Sequence, residues 1–448
     1  MENKVDGFIK DYKRSLFILA TPLLTALIVQ TMYNIVDTAF VGRLGTDAIA
    51  ALTFSFPLFF FLVAINSGLG IGTGSRISRL LGAKRKEDAE NTAMHGLIAS
   101  LLLALFLFTT CWVLQDRLFI LFGASGNVLK LANSYMLIIL FGVFVMFPGY
   151  VLNSIFSAQG DTKTPMKVQI TGLVLNIILD PIFIYTFGYG VKGAAIATVI
   201  ALTISLVMGA YYIRKKSYLH IRLSSFKYSY EALKDIIKVG IPASFMMLII
   251  SVYIVFLNNV MSSFGTEYVA AFGISWRLES LITLPMVAFS MSSVTLVGMF
   301  CGAKRFDLVR KTVSYSLKIC IGIALAIGSL FFAAPSLFFR IFTSDASILS
   351  IASAYMKINV FTFPLLAINM TACRVTQGLG HGMPAFVIQF IRVFVVAVPL
   401  AYAFVFLFGY GFLSVAVAMV IGSLVASIVS LIWLKSKLRS VEKMCKEF

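Results

Sequence analysis

The sequence predicts an all-α integral membrane protein. Of its 448 residues, 59% are hydrophobic and only 12% are charged, which is about half the charged share of a soluble domain. Long stretches carry no charge: Gly193–Ile213 and Ile319–Phe339 have 21 residues each, and Val393–Leu434 has 42. Because a bilayer-spanning helix needs about 20 mostly apolar residues, these stretches supply one, one and two spans. An internal sequence repeat predicts that the spans are arranged in two matching halves.

Hydropathy predicts twelve transmembrane helices in chain order. Apolar runs place them at residues 15–41, 48–75, 91–114, 128–157, 164–187, 192–213, 234–262, 267–298, 312–339, 347–373, 383–408 and 412–434. The most polar inner stretch, Arg214–Lys238, lies between spans 6 and 7. We therefore expect an N-terminal lobe at 1–214, a cytoplasmic linker at 215–233 and a C-terminal lobe at 234–448.

The two predicted lobes repeat each other. A shift of 220 residues aligns Gly-Ala-Lys-Arg at 82–85 with the same four residues at 302–305, and Pro22 with Pro242. Each half has six spans, an even number, so the second half enters the membrane in the same sense as the first. Two such six-helix lobes are expected to be related by a pseudo-two-fold axis along the membrane normal.

The basic residues predict the orientation. With the N-terminus inside, 29 of the 37 Lys and Arg residues fall in inner segments and five in outer segments, the bias expected of cytoplasmic loops. We expect a multi-pass protein of the cell membrane with both termini in the cytoplasm. The net charge of +18 is then a topological signal, so the expected partner is the lipid bilayer and not nucleic acid.

Polar residues are concentrated on two spans of the first lobe. Ionisable groups at membrane depth are costly and usually functional, and two of them, Asp37 and Asp180, fall here. The spacing of Gln30, Tyr33, Asn34 and Asp37 places them on one face of span 1.

A cation site is the interpretation we favour for this layer. Asn176 lies one turn before Asp180, and Pro181 is expected to free a backbone carbonyl. Thr198 on span 6 is predicted at a similar depth, so these residues and Asp37 would give oxygen ligands for a proton or Na⁺. The alternative is a buried polar cluster that only holds the spans together, and an Asp before Pro can simply end a helix.

The repeat provides an internal control for this site. The positions that match Asp37, Asn176, Asp180 and Thr198 in the second half are the apolar residues Leu257, Phe394, Val398 and Met419. This divergence favours a function confined to the first lobe. Gln30, Tyr33, Asn34 and Asn153 are expected to line the same site.

The second lobe carries its own charges at membrane depth. They are Arg277, Glu279, Lys357 and Arg392. Two interpretations of these residues remain: they form a buried ion-pair network, or they recognise the charge of a substrate. No nucleophile–base pair or metal-ligand spacing is found in the spans, so neither an enzyme nor a cofactor is expected.

The sequence resembles the multidrug and toxic compound extrusion (MATE) family along essentially its whole length. The resemblance is carried by Pro22 with Gln-Thr-Met-Tyr-Asn-Ile-Val-Asp at 30–37, Phe-Val-Gly at 40–42, Ser-Arg-Leu-Leu-Gly-Ala at 78–83, Gln-Gly-Asp at 159–161 and Leu-Asn-Ile-Ile-Leu-Asp-Pro at 175–181. It looks like the prokaryotic branch with the coupling site in the N-terminal lobe. In that branch the residues matching Asp37, Asn176, Asp180 and Thr198 form the cation site.

The resemblance implies an antiporter for multidrug efflux. Such a protein exports lipophilic, often cationic drugs by alternating access of a cleft between its lobes, in exchange for H⁺ or Na⁺. A monomer without cofactors is expected, and drug resistance is the expected phenotype. The alternative is a flippase for a lipid-linked oligosaccharide or cell-wall precursor.

Overall fold

The protein is built of long helices. The computed structural model describes residues 4–223 and 226–446, with side chains described for all of these except 34, 35, 37–39 and 440–446. Eleven helices in this part are long and apolar enough to cross a membrane, and a bent helix pair makes a twelfth span. The all-α membrane fold with two sets of six spans is therefore confirmed.

The spans are labelled α1 to α12. They are α1 (Tyr12–Gly42), α2 (Thr46–Gly82), α3 (Lys86–Leu121), α4 (Gly126–Ala158), α5 (Lys163–Pro181), α6 (Gly190–Lys216), α7 (Tyr230–Ser262), α8 (Thr266–Gly302), α9 (Phe306–Ala333), α10 (Ala346–Asn359 and Thr362–Gly378), α11 (Met383–Leu407) and α12 (Leu413–Lys446). Two short helices, Val5–Lys10 and Pro335–Phe339, lie before α1 and after α9.

Two predicted spans are interrupted where hydropathy gave a continuous helix. The ninth ends at Ala333, because the following Pro335 opens a separate short helix. The tenth bends by 55° between Asn359 and Thr362. Pro364 follows this break and cannot donate a backbone hydrogen bond to the preceding turn.

Two spans contain π-helical segments. In α5 the regular helix ends at Pro181 and continues as a π-helix over Ile182–Thr186. In α11 π-helical turns occupy Ile391–Ala397 and Ala403–Leu407. Such segments widen the helix locally and often occur at functional positions.

The chain divides into two compact units by its internal contacts. Of the described residues, one unit contains 4–6 and 21–244 and the other contains 7–20 and 245–446. The boundaries therefore fall inside the short helix Val5–Lys10 and inside α1 and α7. Within the first unit, side chains of α2, α3 and α4 form one apolar core, centred on Leu62, Leu107 and Phe147. Within the second, α7, α11 and α12 share another, centred on Leu257, Val393 and Met419.

The sequence repeat is matched by the backbone. Lys84 and Lys304, which are 220 residues apart, both adopt positive φ angles, 59° and 56°. This conformation is uncommon for a residue with a side chain, so its recurrence is a structural signature of the repeat. Gly45 and Gly265 also share positive φ, 106° and 128°, before α2 and α8.

The segment that follows α6 is held by hydrogen bonds to the end of α4. Helix α6 ends at Lys216 and α7 begins at Tyr230. The Gln159 Oε1 atom accepts hydrogen bonds from Ser217 Oγ and from the Tyr218 backbone N–H, both at 2.9 Å. The Leu219 backbone N–H donates to the same oxygen over 3.3 Å, so this one carbonyl accepts hydrogen bonds from three donors just beyond α6.

Candidate functional site

A fully buried carboxylate of the first unit lies at the end of α5. Asp180 is 0% exposed and Asn176, one turn earlier, is 2% exposed. The Asn176 Nδ2 atom donates a hydrogen bond to Asp180 Oδ1 over 3.0 Å. The predicted pairing of these two residues on one helical face is thus found in the structure.

The amide of Asn176 still has an unused acceptor. Its Oδ1 atom is buried and has no hydrogen-bond partner among the residues that the structure describes. An unsatisfied buried acceptor is unfavourable, so this atom is suited to accept a bond from a cation or a proton donor. Together with the Asp180 carboxylate it presents oxygen atoms of the kind that hard cations prefer.

Helix α6 packs against the face of α5 that carries these residues. Gly172, Asn176 and Asp180 are spaced four residues apart and share that face. A Cβ atom at Gly172 would collide with the Ser205 side chain of α6. At the other end, a Cβ at Gly193 would lie 2.5 Å from the carbonyl oxygen of the π-helical segment that follows Asp180.

Thr198 lies on α6 between these two close approaches. It is half-buried, and its hydroxyl donates to the Ala194 carbonyl over 2.9 Å. The proton is therefore engaged within α6, which leaves the oxygen lone pairs as acceptors. The small neighbours on this helix allow the close packing that membrane helices use.

Two hydrogen bonds join α1 to α5 and to the π-helical segment that continues it. Gln169 Nε2 donates to Gln30 Oε1 over 3.0 Å. The Tyr185 hydroxyl, in the π-helical segment, donates to the Phe40 carbonyl near the end of α1. Asp37 precedes Phe40 by less than one turn, so this bond fixes the backbone near it.

The remaining predicted residues are more dispersed. Asp37 and Asn34 have side chains outside the described residues. Tyr33 is half-buried on α1, and Asn153 is half-buried on α4. Gln169 and Tyr185 were missed by sequence reasoning, because neither is charged and neither shares the α1 stripe. No group of three or more His, Cys, Asp or Glu side chains suited to a metal ion occurs among the described residues.

The repeat partners of the proposed cation ligands converge in the second unit. Leu257, Val398 and Met419 belong to one buried apolar cluster, and Phe394 packs against it. The matched positions on α7, α11 and α12 therefore meet at one place within their unit. The four side chains that meet there are apolar, whereas the matched residues of the first unit are polar.

The charged residues of the second unit separate into two groups. Arg277 and Lys357 are exposed, whereas Glu279 and Arg392 are 6% and 8% exposed. Glu279 Oε2 accepts from Asn359 Nδ2 over 2.9 Å at the bend of α10. None of the ion pairs within the described residues includes any of these four charges.

A further polar cluster of the first unit was not anticipated. Arg76 and Arg79 near the C-terminal end of α2 both contact the carboxylate of Asp235 on α7, the second over 3.4 Å. Arg76 also donates to the backbone carbonyl of Glu231. The positive-inside pattern accounted for these arginines by topology alone, so their partner on α7 could not be inferred from it.

The fold and the duplicated six-span halves define a polytopic membrane transporter. The sequence profile of the MatE family matches residues 22–182 and 242–403, once in each half. The chain belongs to the MatE family, and it is a transporter and not an enzyme.

Relatives and solved structures match most of the chain. The probable multidrug resistance protein NorM of Thermotoga maritima is 28% identical over 406 residues, 88% of this chain and 86% of that protein. A solved multidrug resistance MATE family transporter in an outward-facing conformation is 33% identical, with a TM-score of 0.91 over 96% of both chains. A MOP superfamily transporter from Pyrococcus furiosus is 32% identical, with a TM-score of 0.93 over 99% of both chains. Its binding pocket is described as having reverse polarity that suggests a different function.

Proposed function

We propose that this protein is a cation-coupled antiporter that exports lipophilic, often cationic drugs by alternating access. The observation that carries the proposal is the Asn176–Asp180 pair, a carboxylate with no exposed surface held by a neighbouring amide inside a membrane span. Buried acids in spans mark ion pathways in many transporters. Multidrug resistance relatives support drugs as the substrates.

Asp37, Asn176, Asp180 and Thr198 are the proposed ligands of H⁺ or Na⁺. Their repeat partners converge in the second unit, and repeated halves generally place matched residues alike. The same convergence is therefore expected of the four polar residues in the first unit. A cation entering from outside would favour the state that releases drug outward, and drug binding from inside would reverse that bias.

The remaining features of the proposal follow the sequence. Both termini are cytoplasmic, the protein acts as a monomer in the cell membrane, and the lobes comprise residues 1–214 and 234–448 joined by the linker 215–233. The bias of basic residues supports the orientation.

Transport by purified protein in proteoliposomes tests the function. A lipophilic cation such as ethidium is loaded, and its movement is followed under separately imposed Na⁺ and pH gradients. We expect Asp37→Asn to abolish gradient-driven movement, while Asp116→Asn, at an exposed acid of the same unit, leaves it unchanged. Normal coupled transport by folded Asp37→Asn protein would contradict the assignment.

A flippase for a lipid-linked oligosaccharide or cell-wall precursor is the second candidate. The observation that favours it is the buried Arg392, since such precursors carry phosphate groups. Translocation of a fluorescent lipid-linked precursor in the same vesicles, without ethidium transport, would favour this candidate.

A further inference from the structure

Arg392 is a buried cation that forms no ion pair within the described residues. It is 8% exposed in the middle of α11. Its Nε atom is buried and has no hydrogen-bond acceptor among them. A buried charge is strongly unfavourable unless it is paired and hydrogen-bonded. This guanidinium is therefore suited to receive an anion.

The groups around Arg392 leave it able to bind an anion. Its guanidinium carbon lies 5.7 Å from the centre of the Tyr253 ring, whose residue is 1% exposed. The charge of Glu279 acts on Arg392 through space, but its Oε2 is engaged by Asn359. The acid therefore moderates the local positive potential without forming an ion pair with Arg392 in the described residues. The Tyr253 side chain also interacts with the guanidinium, and the Nε donor remains without an acceptor among these residues.

The backbone at Arg392 is special to the second half. The π-helical segment Ile391–Ala397 matches residues 173–179 at a shift of 218, and these lie in the regular helix α5. The other π-helical segment of α11, Ala403–Leu407, matches Ile182–Thr186 at a shift of 221. The π-helical segment Ala403–Leu407 thus has a π-helical counterpart in the first half, whereas Ile391–Ala397 does not.

The repeat relates Arg392 to the proposed cation site. The segment of α5 that its π-helical turn replaces is the one that carries Asn176. Tyr253 on α7 matches Tyr33 on α1 at a shift of 220. The two halves thus carry polar groups of opposite charge at related places, with a tyrosine retained at both.

We propose that Arg392 and Tyr253 form a recognition site for an acidic group on an amphipathic substrate. The inference rests on the proposed export function and adds to its lipophilic, often cationic drugs a further substrate class: molecules with an aromatic or apolar body and a carboxylate, sulfonate or phosphate. A guanidinium binds such groups through two parallel hydrogen bonds. The Tyr253 ring contributes an aromatic surface beside the bound group.

A pair of probes that differ in one charge tests this site. Full-length protein in nanodiscs of neutral phosphatidylcholine is titrated with a rhodamine that has a free carboxylate and with its methyl ester, using fluorescence anisotropy. A hydrogen-bonded contact to a charged group corresponds to about tenfold or more in affinity. We expect the wild type to bind the free acid at least about tenfold more tightly than Arg392→Gln does, with ester binding changed less than about twofold.

Matched variants separate local charge from general effects. Arg277→Gln removes an exposed charge of the same unit and is expected to leave both affinities unchanged. Arg392→Lys is expected to retain part of the preference for the acid, because a cation remains without the guanidinium geometry. Tyr253→Phe keeps the ring and is expected to retain most of the preference.

Several results would overturn the inference. They are equal binding of acid and ester by wild type, an equal loss of both in Arg392→Gln, or retention of the preference in that variant. If Arg392→Gln does not fold, the wild-type comparison and Arg392→Lys still decide. Loss of dye binding when the nanodisc lipid is phosphatidylglycerol, without displacement of the dye by a soluble carboxylate, would assign the site to lipid instead. Cation-coupled transport of the ester, measured in parallel, tests the export function separately.

Discussion

Replacing Asp180 by Asn isolates the charge of the proposed cation site. The Asn amide oxygen can still accept the hydrogen bond that Asn176 Nδ2 donates to Asp180 Oδ1 over 3.0 Å. The side-chain volume is nearly unchanged, so the packing of this fully buried position is expected to persist. What is lost is one negative charge beside the bound cation.

The size of that loss can be estimated from electrostatics. Two unit charges about 4 Å apart interact by roughly 4 kcal/mol at an effective dielectric constant of about 20. Each ~1.4 kcal/mol is a factor of ten in affinity, so the cation affinity is expected to fall by about a thousandfold. Such a weakened site would stay empty at ordinary Na⁺ or proton concentrations.

The assay is cation-driven drug counterflow in proteoliposomes over a range of external Na⁺ concentration and pH. Asp180→Asn is expected to raise the half-saturating cation concentration beyond the measurable range, while its thermal unfolding midpoint stays within a few degrees of wild type. Asp116→Asn is the matched control. A half-saturating concentration within about threefold of wild type would refute the assignment of Asp180 as a ligand.

Two further predictions concern the helix contacts that position the site. Gly193→Ala would place a Cβ atom 2.5 Å from a backbone carbonyl oxygen and is expected to destabilise the protein by about 1–3 kcal/mol, seen as a lower unfolding temperature. Gly322→Ala, where nothing lies within 4 Å of the added atom, is the control, and equal behaviour of the two would contradict the packing argument. Gln159→Ala removes the acceptor that holds the linker 217–229 and is expected to speed its limited proteolysis roughly tenfold, since an unmet buried hydrogen bond costs about 1–3 kcal/mol. Gln115→Ala, at a buried glutamine elsewhere in the unit, is expected to be cleaved like wild type, and a similar rate in Gln159→Ala would refute this role.

The helices were predictable because a chain in the lipid bilayer can adopt few backbone conformations. Every backbone polar group in the bilayer must be satisfied within the helix, so apolar length alone locates a span. The interruptions escaped prediction because hydropathy averages over a window and does not register single residues. Pro364, just beyond the bend of α10, was a visible signal of the break.

The candidate site was predictable only where partners share a helix. The four-residue spacing of Asn176 and Asp180 was sufficient to predict their contact. By contrast, the hydrogen bond between Gln30 and Gln169 joins two helices whose facing surfaces no spacing rule specifies. Depth also failed to separate buried from exposed charge: Arg392 is buried but Lys357 is not, because hydropathy gives the depth of a residue and not the side of the helix it occupies.

The repeat distinguishes what the fold requires from what one half has acquired. The π-helical segments Ile182–Thr186 and Ala403–Leu407 recur at matched positions, so this distortion belongs to the common architecture. Asp180, immediately before the first of them, is matched by Val398, which packs into an apolar cluster. A fold that is satisfied by valine at this position does not need a carboxylate there. A buried carboxylate in this half alone is therefore consistent with the proposed binding of a coupling cation at Asp180.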